Sequence, residues 1–245
     1  MLRSVFELIG YSMAAADGDL GKAHDFLFDD EQWTIRHLVV DTGHWLPGRK
    51  VLIAPEALGK ADWAKRQFSV SLTREQIENS PPIDTDEPVS RQKERVLFEY
   101  FAWTPYWGGG VMWPYAQPGG MAVPEPKARE PENAEDTHLR SVRAVNGYHI
   151  SAHDGDVGHV EDFVIDDESW VIRYIVADTR NWLPGKKVLL SPSWFKDVNW
   201  QEHKVSTDLN RDQIKDAPEF DPRAPVNREL EAQIYDFYGR PKYWE

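Results

Sequence analysis

The chain has 245 residues, 28 basic against 41 acidic, and a net charge of −13 with no cysteine. Disulfides, thiolate metal sites and thiol catalysis are excluded outright. An acidic chain without a basic face is a poor nucleic-acid binder and a poor ligand for anionic lipid. No apolar run approaches the ~20 residues that span a bilayer, and Met1–Glu7 shows no apolar signal region, so a cytoplasmic protein is expected.

The sequence repeats itself. Residues Leu2–Trp107 align without a gap on Leu139–Trp244 at an offset of 137, with roughly four in ten positions identical. Each unit has its own copy of Leu-Arg-Ser-Val, of Asp-Gly-Asp-x-Gly and of Trp-Leu-Pro-Gly. Net charge is shared evenly, −5 in the first unit and −4 in the second. Two repeats are too few for a solenoid, which needs about three stacked units, so each is expected to fold as a closed unit. The duplication is also an internal control. A residue serving the fold should recur, whereas one serving a site can stand in one copy alone.

In chain order, Ser4–Leu8 and Tyr11–Ala14 read as short strands about Gly10. Asp17-Gly18-Asp19 reads as a tight turn. Leu20–Phe28 is a longer strand, Asp29-Asp30-Glu31 a polar break, and Trp33–Val40 an alternating strand. Asp41–Gly48 is a long turn, Lys50–Ile53 a strand stopped by Pro55, and Gln67–Ser71 the last. Six short strands separated by turns predict a small all-β barrel or sandwich. Thr73 and Gln76 then form a capping-box pattern, as do Asn210 and Gln213. A longer helix is expected over Val89–Phe101 and again over Val226–Tyr238, after Pro88 and Pro225. Both helices run into aromatic tails that include Trp103, Trp107 and Trp244.

The expected architecture is mainly β: two small barrels in tandem, each followed by a short helix and a helical arm. The boundaries are 1–81 for the first barrel, 82–107 for its arm, 108–137 for a Gly/Pro-rich linker, 138–218 for the second barrel and 219–245 for its arm. Within the linker, Trp113 and Tyr115 are apolar for a spacer and fit a loop on the adjacent barrel or a docking peptide.

One combination of residues is specific. Asp17, Gly18, Gly21, Phe26, Asp29, Asp30, Trp33, Ile35, Arg36, Val39, Asp41, Thr42, Trp45–Gly48 and Lys50–Leu52, each met again 137 residues on, resemble the PRC-barrel domain. The resemblance covers about Met1–Pro81 and His138–Pro218. It implies a small β-barrel module of the kind found in the cytoplasmic part of the photosynthetic reaction centre H subunit and in a ribosome-maturation factor. The role it implies is protein–protein contact and assembly, with no defined catalytic activity and no cofactor.

Candidate chemistry is thin. None of the eight histidines stands opposite another in the repeat: His37 faces Tyr174, His24 faces Glu161 and His153 faces Ala16. His149, His153 and His159 lie near one turn without tight ligand spacing and read as surface residues. Asp17, Asp19, Asp25, Asp29, Asp30, Glu31, Asp41 and Asp84 recur as acids, mostly in turns. Asp17, Asp19, Asp154 and Asp156 are the weak metal candidates, for a loose calcium site. Ser4/Ser141 and Ser69/Ser206 recur without a partnering histidine in both units, and no phosphate-binding glycine loop is present.

Recurring aromatics are the stronger signal. Trp33/Trp170 and Trp63/Trp200 read as core. Trp45, Leu46 and Pro47, with Trp182, Leu183 and Pro184, place apolar residues in a turn, which suits either a loop folded on its own barrel or an interface. With Trp103, Trp107 and Trp244 they are the interface candidates. The expected function is a non-catalytic interaction or assembly module, its barrels pairing as a pseudo-twofold or as a homo-oligomer, with a protein partner or self-association. The alternative is a small-ligand or calcium-binding protein using the acidic turns, and an enzyme comes last.

Overall fold

A computed structural model describes residues 1–83, 89–107, 138–179 and 186–245. In the first half, β1 (Leu2–Ser4) leads into a helical turn, α1 (Val5–Leu8). Then come β2 (Ser12–Ala15), β3 (Gly18–Asp29), β4 (Thr34–Asp41), β5 (Lys50–Ile53), β6 (Leu58–Asp62) and β7 (Gln67–Val70). Two helices follow, α2 (Arg74–Glu78) and α3 (Arg91–Phe101). The second half repeats this as β8 (Leu139–Ser141), α4 (Val142–Val145), β9 (His149–Ala152), β10 (Gly155–Asp166), β11 (Ile172–Asp178), β12 (Lys187–Leu190), β13 (Phe195–Asn199), β14 (Lys204–Thr207), α5 (Arg211–Asp216) and α6 (Arg228–Tyr238).

Local chemistry explains most boundaries. Ser4 ends its strand because its hydroxyl accepts from the Glu7 amide, so the strand expected over Ser4–Leu8 is a short strand followed by a turn of helix. Thr73 and Asn210 close capping boxes with Gln76 and Gln213. The arms begin at Arg91 and Arg228, where Ser90 and Asn227 supply the N-caps. Strands β6 and β13, not anticipated, complete the hairpins with β7 and β14. Gly21 and Gly158 sit at positive φ against a neighbouring backbone. A Cβ there would lie 1.9 Å and 2.0 Å from the carbonyl oxygens of Asp41 and Asp178, so the last glycine of Asp-Gly-x-x-Gly is a steric requirement.

Each half contributes six strands to a sheet, in the orders β5-β4-β3-β2-β7-β6 and β12-β11-β10-β9-β14-β13. The seventh strand of each comes from the other half. β1 pairs with β10, Leu2 opposite Asp166 and Ser4 opposite Val164. β8 pairs with β3, Leu139 opposite Asp29 and Ser141 opposite Leu27. The expectation of closed barrels is corrected. The strand path of each sheet runs open from one edge to the other, and among the described residues no ladder joins β5 to β6 or β12 to β13. The physical reason lies in the core. The main apolar cluster runs through both halves, from Val5, Phe26, Phe28 and Ile35 to Phe163, Ile172 and Tyr174, so each sheet's inner face is covered partly by its neighbour instead of by curling onto itself.

The seam is aromatic. Trp33 and Trp170 hold the left-handed conformation, φ 51° and 60°, and their carbonyls accept from Ile172 (2.7 Å) and Ile35 (2.9 Å) across the junction. The Trp33 ring packs on Phe195 and Trp200 of the other unit, and Trp170 packs on Phe26 and Phe68. Arg3 lies over Trp63, and Arg140 over Trp200. The crossed strands are latched by carboxylates. Asp162 accepts from the Ser4 hydroxyl and the Phe6 amide, and Asp25 accepts from Ser141 and the Arg143 amide. Burial pushes both carboxyls up, Asp162 to about 6. On the outer face, α3 covers Leu27, Val39 and Leu52 together with Leu139 from the second half. Among the described residues no helix is long and apolar enough to cross a membrane.

Candidate functional site at the unit junction

The most concentrated chemistry lies where each arm meets the sheet. The α3 face carrying Leu97 and Phe98 also carries Glu94, fully buried. His37 on β4 places Nε2 2.9 Å from Glu94 Oε1, and His138, just ahead of β8, places Nε2 3.1 Å from Oε2. The Tyr106 hydroxyl is 2.9 Å from Oε1 and 2.8 Å from His138 Nε2. Arg91, one turn earlier on the helix, is 3.5 Å from Oε2.

A hydrogen on Nε2 of each imidazole supplies the donors that the carboxylate can accept. His37, His138 and Tyr106 then donate to the carboxylate, and the Tyr106 oxygen also accepts from His138. Burial alone raises the Glu94 carboxyl, but hydrogen bonds and charge from His138 and His37 outweigh it and hold it at about 2. Tyr106 is pushed up by burial and by the adjacent Glu94 charge. The Nδ1 atoms of both histidines are buried without a hydrogen-bond partner.

The second unit builds the same feature differently. Glu231 on α6 is 2% exposed and accepts from Tyr174 (3.0 Å) and Tyr243 (2.7 Å), with Arg228 at 3.0 Å. Tyr174 occupies the place of His37, Tyr243 that of Tyr106, and Met1 that of His138. Burial and the Glu231 hydrogen bond push Tyr243 up to about 12. Such paired, desolvated carboxylates lock elements together. Among the described residues no group of three or more His, Asp or Glu is arranged to hold a metal ion; at Glu94 the carboxylate lies between the two imidazoles, one oxygen to each.

A cleft flanks each network. One, of about 170 Å³, is lined by Arg36, Ala54, Glu56, Phe98, Tyr106 and Trp170 among others. Its pseudo-twofold counterpart, of about 400 Å³, has Arg173, Ser191, Ser193, Tyr235, Tyr243 and Trp33 at the matching positions.

The residues anticipated from sequence are dispersed. Trp45 is partly buried against its own unit, donating Nε1 to the Leu20 carbonyl at 3.0 Å beneath Arg74. Leu46 is half-buried and Pro47 exposed. Trp182, Leu183 and Pro184 lie outside the described residues, as do the linker 108–137 and Asp84. Trp103 stacks on Phe101, Trp107 packs on Phe98 beneath Arg91, and Trp244 packs on Tyr235 beneath Arg228. Asp17 and Asp154 accept from the Arg74 and Arg211 amides at the starts of α2 and α5. Asp19 accepts from Gly21, and Asp156 pairs in β10 with Ser151. His149 and His153 are exposed and His159 is partly buried.

The Glu94 and Glu231 networks were not anticipated. Their signal was present as Arg-x-x-Glu in both arms, three residues before the buried Leu97 and Ile234.

These features define a mainly β protein of two similar seven-stranded sheets in tandem, each followed by helices. No protein-family model matches the chain. A 99-residue segment is 30% identical to an uncharacterized protein of Deinococcus radiodurans, an alignment covering 38% of this chain and 35% of that protein. The matched region is thus about a third of that relative's length.

Proposed function

We propose that this chain is a non-catalytic assembly module built from two PRC-barrel-like units paired within one chain, and that it works in the cytoplasm. One observation carries the reading: the same helical-arm position is an exposed aromatic in both units. Tyr100 and Phe237, 137 residues apart, are each 41% exposed, and Val96 is half exposed one turn before Tyr100. Single exposed apolar residues are ordinary. Two at pseudo-symmetric positions make a bivalent surface, which suits a twofold partner or tandem contacts. The buried carboxylates fit the same reading, since their capacity is taken up by neighbouring imidazole, phenol and guanidinium groups. The repeated signature from Asp17 to Leu52 supports the PRC-type assignment, while the open strand path is its main departure from that pattern.

The test is affinity capture of the tagged chain from its native cells, beside the double variant Tyr100→Glu/Phe237→Glu. A stoichiometric protein retained by the parent and lost by the folded double variant is the expected result. Equal retention by both would remove the arms as the contact surface, and no retained protein would sink the assembly reading.

A further inference from the structure

The two clefts at the junction share a pseudo-twofold origin but not a lining. In the smaller cleft the fold is satisfied by Ala54, Glu56 and Phe98; in the larger one these positions are Ser191, Ser193 and Tyr235. Three hydroxyls therefore stand where the same fold does without them, and a carboxylate is missing where its twin has one. The Arg173 cleft, at about 400 Å³, lies in the size range of small-ligand sites, whereas the matching space in the first unit is divided at Pro55, Glu56 and Trp170 into clefts of about 170 and about 550 Å³.

The arginines differ as well. Arg36 is engaged by Gln32 at 2.6 Å and by Asp29 at 3.4 Å. Arg173 has no such glutamine, because Ser169 stands in that place and binds Asp166. Its closest carboxylate among the described residues is Asp166 at 3.7 Å, while its Nε, like that of Arg36, is buried without a hydrogen-bond partner. Ser191 and Tyr235 are 5% and 3% exposed. The Ser191 and Ser193 hydroxyls sit 2.9 Å apart, and each can rotate toward an incoming acceptor. Trp33, Phe195 and Tyr243 supply aromatic wall, beside Gln32, Val171, Ile172 and Pro192.

We propose that the cleft at Arg173 binds a small aromatic carboxylate. Arg173, Ser191 and Ser193 take the carboxylate, a planar anion matched to a guanidinium and to hydroxyl donors. Trp33 and Phe195 hold the ring, where offset or edge-on packing is favourable. Glu31, exposed at the rim, opposes the anion, and its charge is screened by salt. Glu56 makes the smaller cleft unreceptive to the same ligand.

The experiment is calorimetric titration of the full chain with benzoate, 4-hydroxybenzoate and phenylacetate, with Trp fluorescence as a second readout. At least one is expected to saturate a single site. Ser193→Glu should weaken it at least tenfold while leaving the fold intact, because the twin position already carries glutamate. Glu31→Gln should tighten it, most visibly at low salt. No saturation by any of the three at millimolar concentration overturns the proposal. So does equal affinity in Ser193→Glu, or a stoichiometry of two, which would place ligand in the smaller cleft as well. Saturation by inorganic phosphate with equal strength would reduce the cleft to a general anion site and overturn the aromatic assignment.

Discussion

The two arm–sheet junctions are one structural idea executed with different side chains. Around Glu94 the donors are two imidazoles, a phenol and a guanidinium; around Glu231 they are two phenols and a guanidinium. What the duplicated fold requires is a buried carboxylate on the arm with its oxygens satisfied. The identity of the donors is free to vary. Histidine alone therefore does not mark chemistry here, since a tyrosine fills its place in the twin.

The comparison is broken most forcefully at the carboxylate itself. Glu94→Ala leaves His37, His138 and Tyr106 without their shared acceptor and should cost about 3–5 kcal/mol, the usual penalty for removing one member of a buried charged set. Urea denaturation measures it. Glu231→Ala should cost less, because Arg228 is 57% exposed and can turn to water.

The next effect is in pH, and two carboxyls respond with opposite sign. Asp162 is raised to about 6 against 3.8 when free. The folded state therefore binds the extra proton between those values, and stability falls as pH rises from about 4 to about 6, by about 3 kcal/mol at most. Asp162→Asn should flatten that slope in chemical denaturation across the window. Glu94, held at about 2 against 4.5, contributes stability that is complete above about 4.5 and is lost as pH falls toward 2, a slope absent from Glu94→Gln.

Smaller changes sharpen what the two units share. Gly21→Ala and Gly158→Ala should each cost about 1–3 kcal/mol by forcing backbone apart at a positive-φ position, and thermal unfolding should find the two costs alike. His37→Tyr imports the second unit's donor and should cost less than about 1.5 kcal/mol, whereas His37→Leu, which donates nothing, should cost more. Thr73→Ala and Asn210→Ala should each remove about 1 kcal/mol through the lost helix cap; equal shifts are expected, and a clear inequality would show that α2 and α5 are held differently.

How far the sequence was legible depends on the range of the interaction. The capping residues, the strand Lys50–Ile53 and the arm helices follow local rules and could be read directly. Strand β6 was missed because Gly59 and Lys60 break the apolar alternation. The crossing of β1 and β8 could not be read, since both strands are Leu-Arg-Ser and either sheet would accept either copy. The closed barrel was expected because periodicity reports which face is buried but not what covers it. His37 looked like any alternating strand residue, and its partner Glu94 lies 57 residues away.

The crossed strands set an order of events in synthesis. β1 emerges first, yet its partners Val164 to Asp166 follow some 160 residues later. At roughly 5–20 residues per second that interval is on the order of ten seconds or more. For most of it, from the synthesis of β3 to that of β8, the Leu27–Asp29 edge of β3 also stands open. A nascent chain stalled before residue 139 therefore displays both a free strand and the slot that fits it. Two such fragments can satisfy each other across chains, and truncated products should accumulate as reciprocal pairs.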